Sequence, residues 1–485
     1  MARNTVSLVL GQVITTALTL VLNAAIARSL GPSDFGVLYL VTSVATFAYV
    51  FVDWGHGIYV IREVARRPEC AGELMGTVLA VRVATAVALT GPAVLIARLI
   101  GYDARTQLGI AIMMVAWLPM YLGLSFGWAF RGVERMEFDA LVNVVLKFLW
   151  LVAGITILMS GGRLLGVIMA AGIAGSITFA VATLIYRRVG LSRLRVTRAM
   201  AHELIVGGAP MVTMTIAVAI QSYIDANMLS RLTPATVVGW YGAAATFSNT
   251  LIAPAFVLAS AAYPRLSVTA GDRAKFRKTL HDTLRPLLFL AVLGAVGTYL
   301  FADVAVGIVY SQQFGPSADI LRAFTPAMVL VFLDMLLGTA ILAAGSALPL
   351  AGTKLLSVAV ITTLELLLIP LCQARFSNGG IGVMLSFAGG ELVMVAGAVR
   401  LLPRGTLDRR IALDVFRAGV AGAGTLTIVQ WFGNVSPVVT IPGCILVFTL
   451  LAVAVRLVTR ADLAAIAGLL SRRRSIPTDA AGQLH

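Results

Sequence analysis

Two ten-residue stretches set the architecture: Ala27-Arg28-Ser29-Leu30-Gly31-Pro32-Ser33-Asp34-Phe35-Gly36 and Ser230-Arg231-Leu232-Thr233-Pro234-Ala235-Thr236-Val237-Val238-Gly239. Each closes a long apolar run. Arg28 and Arg231 are 203 residues apart, as are Gly36 and Gly239, and Arg62 and Arg265. Three matches at one offset predict a duplication of six membrane spans. Six is even, so the halves keep one orientation and are related by an axis along the membrane normal, as in parallel-repeat transporters.

The composition around these stretches is that of a membrane protein. Of 485 residues, 59% are hydrophobic and 12% charged, with a mean hydropathy of +0.93. Ordinary soluble domains carry roughly 25% charged residues. A soluble enzyme, a nucleic-acid-binding protein and a disordered chain are therefore excluded, and the net charge of +15 reads as Lys and Arg gathered in cytoplasmic loops. Cys70, Cys372 and Cys444 are odd in number and far apart, so no disulfide framework is expected. The histidines are scattered, no HExxH, CxxC or GxxxxGK[ST] occurs, and no metal or cofactor is expected. Residues 5–27 are too long for the apolar core of a secretory signal, and no cleavage site follows.

A helix crossing about 30 Å of hydrocarbon needs about 20 apolar residues. Fourteen stretches qualify: 5–27, 36–58, 74–97, 107–128, 138–159, 164–186, 204–229, 236–261, 284–308, 320–344, 349–370, 379–400, 411–432 and 437–458. Lys147 interrupts the fifth, and Lys354 and Glu365 the eleventh. The expected fold is all-α and polytopic, with two pseudo-symmetric six-helix lobes plus two extra C-terminal helices. The N-lobe is 1–186, a basic cytoplasmic linker 187–203, the C-lobe 204–402, the last two spans 403–460, and a cytoplasmic tail 461–485.

Charge sets the orientation. With the N-terminus inside, the outer loops hold only Arg28, Arg98, Arg105, Arg163, Arg231 and Arg375, and five cations fall within spans: Arg82, Lys147, Arg322, Lys354 and Arg417. The remaining 26 of 37 lie in cytoplasmic segments. Both termini are therefore expected in the cytoplasm. No outer loop is long enough for a folded catalytic domain, which argues against a membrane glycosyltransferase or glycan polymerase.

The chain resembles the polysaccharide-transporter, Wzx-like oligosaccharide flippase family of the multidrug, oligosaccharidyl-lipid and polysaccharide exporter superfamily. The resemblance is carried in order by ARSLGPSDFG (27–36), DWGHGIYVIREVAR (53–66), FRGVERMEFDAL (130–141), GGAPMVTMTIAVAIQSYIDANMLSRL (207–232), VVGWYGAAATF (237–247) and AAYPRLS (261–267). It covers roughly residues 5–400. It implies a fourteen-helix, two-lobed exporter that moves lipid-linked glycans across the cytoplasmic membrane, with no covalent chemistry and no catalytic residues. A drug or cation antiporter of the same superfamily is the alternative.

Ionisable residues within spans are costly and usually face a cavity or one another. Asp53 and Arg82 lie at similar depth near the inner ends of spans two and three. They read either as a structural pair or as an entrance for an anionic headgroup. Lys147, nearer mid-membrane, needs a cavity or an acidic partner. Lys and Arg bind phosphate through charge-assisted hydrogen bonds, so Arg28, Arg82, Lys147 and Lys354 are the candidate contacts for the phosphate or pyrophosphate of a lipid-linked glycan. Arg28 also reads as a snorkelling residue. Arg62 and Arg265 read as anchors at the inner surface. Burial favours protonation of a carboxyl, so Asp53, Asp225, Asp334, Glu365 and Glu391 are the candidates for coupling to a proton or sodium gradient. Lys354 is expected to pair with Asp334, and Asp414 with Arg417. Pro119, Pro210, Pro254 and Pro326 bend their spans, and Pro210 is the candidate hinge. The basic 262–283 segment reads either as lying on anionic inner-leaflet lipids or as a solvated loop. A monomer is expected.

The orientation is checked by labelling intact cells. A cysteine introduced at Ser33 or Ser436 is expected to react with an impermeant reagent, and one at Ser192 to be protected. Reaction at Ser192 reverses the topology.

Overall fold

In hydrocarbon, a helix satisfies its own peptide groups, which is why apolar runs of this length fold as helices. The structure, a computed structural model, describes the backbone of residues 2–431 and 436–458, and the side chains of these except 2–10, 209–215, 217–219 and 222. It contains α1 (Ala2–Asp53), α2 (His56–Arg66), α3 (Ala71–Ile100), α4 (Ala104–Gly132), α5 (Met136–Met159), α6 (Leu164–Arg188) and α7 (Arg198–Leu232). These are followed by α8 (Ala235–Thr269), α9 (Arg273–Val309), α10 (Ser317–Ala343), α11 (Ala347–Phe376), α12 (Gly379–Leu401), α13 (Arg409–Trp431) and α14 (Pro437–Ala454). The chain is an all-helical polytopic membrane protein. Among the described residues, twelve helices are long and apolar enough to cross a membrane by length and composition.

The expected spans 5–27 and 36–58 are two helices that meet end to end at a kink. They lie in α1, whose 52 residues are far more than the ~20 that one crossing takes. The expected turn between them is a kink: Gly31 is non-helical (φ 73, ψ 172), and Pro32 follows it. A side chain at Gly31 would strain this left-handed backbone, whereas Pro32, with no amide hydrogen, suits the first position of the renewed helix. The second span ends earlier than expected. Trp54 (φ 44) and Gly55 (φ 67) turn the chain into the short α2, which buries His56, Tyr59, Val60 and Val64 on one face.

The connections are also shorter than expected. The 262–283 linker is nearly all helix, because α8 runs to Thr269 and α9 starts at Arg273. Asp272 caps the new helix by accepting from the backbone N–H groups of Ala274 (3.0 Å) and Lys275 (3.1 Å). The 187–203 linker shrinks to 189–197. Pro119, Pro254 and Pro326 lie inside α4, α8 and α10 as expected. The side chain of Pro210, and the expected 461–485 tail, lie outside the described residues.

The chain forms two compact units. The first runs to Thr250 and includes Ala305–Ile320 and Val358–Phe387. One of its cores gathers Tyr49, Met113, Met114, Trp117, Leu146 and Ile168. Tyr49 stacks on Tyr121 (4.2 Å between centroids) and donates to the Met114 carbonyl (2.6 Å). Another gathers Met75, Phe126, Phe130 and Tyr186. The second unit comprises Leu251–Val304, Leu321–Ser357 and the chain from Ala388 onward. There α13 lies against α9 at Gly422 and Val292, and Phe289 meets Phe448 (5.2 Å).

The two opening stretches meet inside the first unit. A Cβ on Gly36 would overlap the carbonyl oxygen of Ala235, and one on Gly239 would overlap that of Pro32. Ala235 and Pro32 are themselves 203 apart, so the contact is reciprocal. The arginines repeat the pattern: Arg28 donates to the carbonyls of Ile308 and Val309 at the end of α9, and Arg231 to that of Ile100 at the end of α3.

Gly36→Ala and Gly239→Ala are therefore each expected to destabilise the protein by about 1–3 kcal/mol, the usual cost of overpacking. Gly91→Ala, whose Cβ meets nothing within 4 Å, is the neutral control. Thermal unfolding in detergent reads the difference.

Candidate functional site

The ionisable side chains within the spans fall into separate groups, each built by neighbouring helices of one unit. In the first unit, Arg82 on α3 is 1% exposed. It forms an ion pair with Asp53 at the end of α1 and donates to the Tyr121 carbonyl (2.6 Å) and to Ser125 Oγ (2.5 Å) on α4. Its guanidinium lies 4.4 Å from the centroid of the Trp128 ring, a cation–π contact. The α1 break at Trp54–Gly55 leaves Asp53 as the last residue of the helix. Trp128 is packed against Gly57, where a Cβ would meet its indole.

Lys147 on α5 is different. Its ammonium lies 5.1 Å from the Trp150 centroid, and no carboxylate among the described residues pairs with it.

Asp225 on α7 and Glu365 on α11 come together in the first unit, carboxyl against carboxyl. Glu365 is 0% exposed, and no Lys or Arg among the described residues pairs with it. Tyr241 on α8 donates to Asp225 Oδ2 (3.3 Å), and the Tyr39 ring packs edge-on against Tyr241 (5.7 Å, 85°).

In the second unit, Lys354 on α11 lies 3.9 Å from Glu391 on α12. The ion pair expected with Asp334 is thus made with Glu391, while Asp334 on α10 faces both charges. Close packing of α11 on α12 accounts for the choice: Ser357 donates to the Gly390 carbonyl (2.9 Å), and Gly397 admits Thr353. Asp414 is 1% exposed. It takes the expected bond from Arg417 (3.1 Å) and further ones from Arg285 (3.0 Å) and His281 Nε2 (2.9 Å).

Of the expected residues, the structure joins Asp53 to Arg82, Asp225 to Glu365, and Asp334 and Lys354 to Glu391. Arg28 caps α9, and Lys147 joins none of the carboxyl groups. Sequence reasoning missed Tyr39, Tyr241, Ser125 and Trp128, because aromatic and hydroxyl residues in apolar runs read as core. Among the described residues, no group of three or more His, Cys, Asp or Glu is placed to hold a metal ion.

The helical bundle has a membrane transporter fold. The chain belongs to the polysaccharide biosynthesis protein family, whose family model matches residues 1–270. A probable low-salt glycan biosynthesis flippase, Agl15, from Haloferax volcanii is 18% identical over 395 residues, covering 80% of this chain and 81% of that protein. Among solved structures, the lipid II flippase MurJ in an inward closed conformation is similar with a TM-score of 0.73 at 14% identity, covering 92% of this chain and 98% of that one. An inward-facing multidrug resistance MATE family transporter of the MOP superfamily is similar with a TM-score of 0.65 at 15% identity, covering 80% and 93%.

The Asp53–Arg82 pair makes a sharp prediction. Removing one partner of a buried pair costs about 3–5 kcal/mol, so Asp53→Asn and Arg82→Gln are each expected to lower the amount of protein in the membrane. The double variant is expected to recover part of it, as read by quantitative blotting of membranes.

Proposed function

We propose that the protein flips a lipid-linked oligosaccharide or polysaccharide precursor across the cytoplasmic membrane by alternating access, driven by a proton or sodium gradient. The carrying observation is the separation of charge: Lys147 has no carboxylate partner among the described residues, whereas Glu365 faces a second carboxyl. An ammonium without a counter-ion in a low-dielectric site suits a phosphate or pyrophosphate. Paired carboxyls suit exchange of a small cation. In this reading Lys147 meets the headgroup, with Arg28, Arg82 and Lys354 along its route. Asp225 with Glu365, Asp334 with Glu391, and Asp53 respond to the ion. Two six-helix lobes rock about the site, followed by two extra helices, with both termini cytoplasmic. The reciprocal Gly36 and Gly239 contacts support the duplication. The family match, and the likeness to flippases named for glycan biosynthesis and lipid II, support the cargo.

A cation or drug antiporter is the second reading, favoured by the carboxyl groups and by the likeness to a multidrug transporter. The two readings differ at Lys147, since a cationic cargo does not require a lysine. Depletion is expected to accumulate a phosphate-bearing glycan lipid on the inner leaflet. Lys147→Gln is expected to reproduce that block at normal abundance. Lys147→Arg is expected to retain more export, because charge matters more than shape at a point contact. Normal export by Lys147→Gln overturns the assignment.

A further inference from the structure

The connection between α6 and α7 is an ordered strap laid along the start of α3. It leaves α6 through Gly190 (φ 79) and carries no helix from Leu191 to Thr197. Arg195 donates its backbone N–H to the Gly72 carbonyl (3.0 Å), and Ser192 Oγ accepts from the Gly72 N–H (2.7 Å) and donates to the Glu69 carbonyl (3.0 Å). Tyr186 donates to the Ser192 carbonyl (3.0 Å), and the Thr197 N–H reaches Thr77 Oγ1 (3.3 Å). Two glycines one helical turn apart make this possible. A Cβ at Gly72 would meet the backbone of Ser192 and Arg193, and one at Gly76 that of Arg195.

Fixing the backbone on α3 fixes where its side chains emerge. Arg187, Arg193 and Arg195 are exposed, and Leu194 and Val196 stand exposed between and beside them. Between this strap and the end of α6 lies a groove of about 640 Å³, lined by Thr183, Tyr186, Arg187, Leu191, Arg193 and Leu194. Among the described residues, neither Arg187 nor Arg193 pairs with a carboxylate. Arginines of the inner surface are ordinarily solvated anchors. Here two unneutralised guanidinium groups instead share a preformed recess with leucines and a tyrosine. That combination suits a ligand with an anionic phosphate and an apolar body, and the leucines favour a lipid over a free phosphate.

We propose that this groove binds the phosphate headgroup of an anionic phospholipid, with Arg187 and Arg193 on the phosphate and Leu191 and Leu194 against the start of the acyl chains.

The test uses the purified full-length protein in mixed micelles containing phosphatidylglycerol and phosphatidylcholine, with retained lipid read by native mass spectrometry. The wild type is expected to retain phosphatidylglycerol preferentially. Arg187→Gln and Arg193→Gln are each expected to weaken that retention about fivefold, the effect of one basic residue near an anionic surface. Arg404→Gln, an equal loss of one exposed charge elsewhere, is expected to leave it unchanged. Gly72→Ala keeps every arginine but displaces the strap, and is expected to lose the preference as well. An equal loss in the Arg404→Gln control, an unchanged preference in Gly72→Ala, or displacement of the lipid by millimolar inorganic phosphate overturns the proposal.

Discussion

Hydrocarbon offers no hydrogen-bond partners, so every peptide group of a span must be satisfied within the protein. The interior of a long helix does this automatically, but its ends do not, and the last turn leaves carbonyls open. Arg28 and Arg231 supply the missing donors at the ends of α9 and α3. Buried hydroxyls turn inward for the same reason. Thr178, Thr425 and Ser386 each donate to the carbonyl four residues back, at 2.7–2.8 Å. Polar side chains in this protein are placed first by that requirement.

The same constraint sorts the charges. Arg82 is met by Asp53, a carbonyl, a hydroxyl and an indole face, and so ties together α1, α3 and α4. Asp414 is held by three donors from α9 and α13, which fixes that helix pair. Lys147 and Glu365 lack comparable compensation. In a low-dielectric site, uncompensated charge has no structural benefit to offset its desolvation. That asymmetry makes Lys147 and Glu365 the groups least tied to the packing of the bundle.

Much of the bundle was legible in the sequence because hydropathy and span length are read over twenty residues at a time. The failures were at the junctions. Gly31-Pro32 looks like a loop, yet the break between the two helices is a single non-helical residue. Polar residues 262–283 look like a linker, yet Arg and Lys are good helix formers, and only Asp272, by capping, breaks the run. The partners of buried charges were legible where they share a helix, as for Asp414 and Arg417. Where the choice lay between two helices, as for Lys354, it depended on interhelical packing at Gly390 and Gly397, which carries no signature in one sequence.

The reciprocal approach of Gly36 to Ala235 and Gly239 to Pro32 is self-complementary, like the patch at the two-fold axis of a homodimer. Within one chain, the two copies of that patch are joined by the intervening residues 37–229. Their encounter is governed by an effective concentration set by the tether, rather than by the amount of protein in the membrane. A contact that would otherwise dissociate on dilution is thereby made independent of expression level. A membrane holding few copies of the protein therefore assembles it as readily as one holding many.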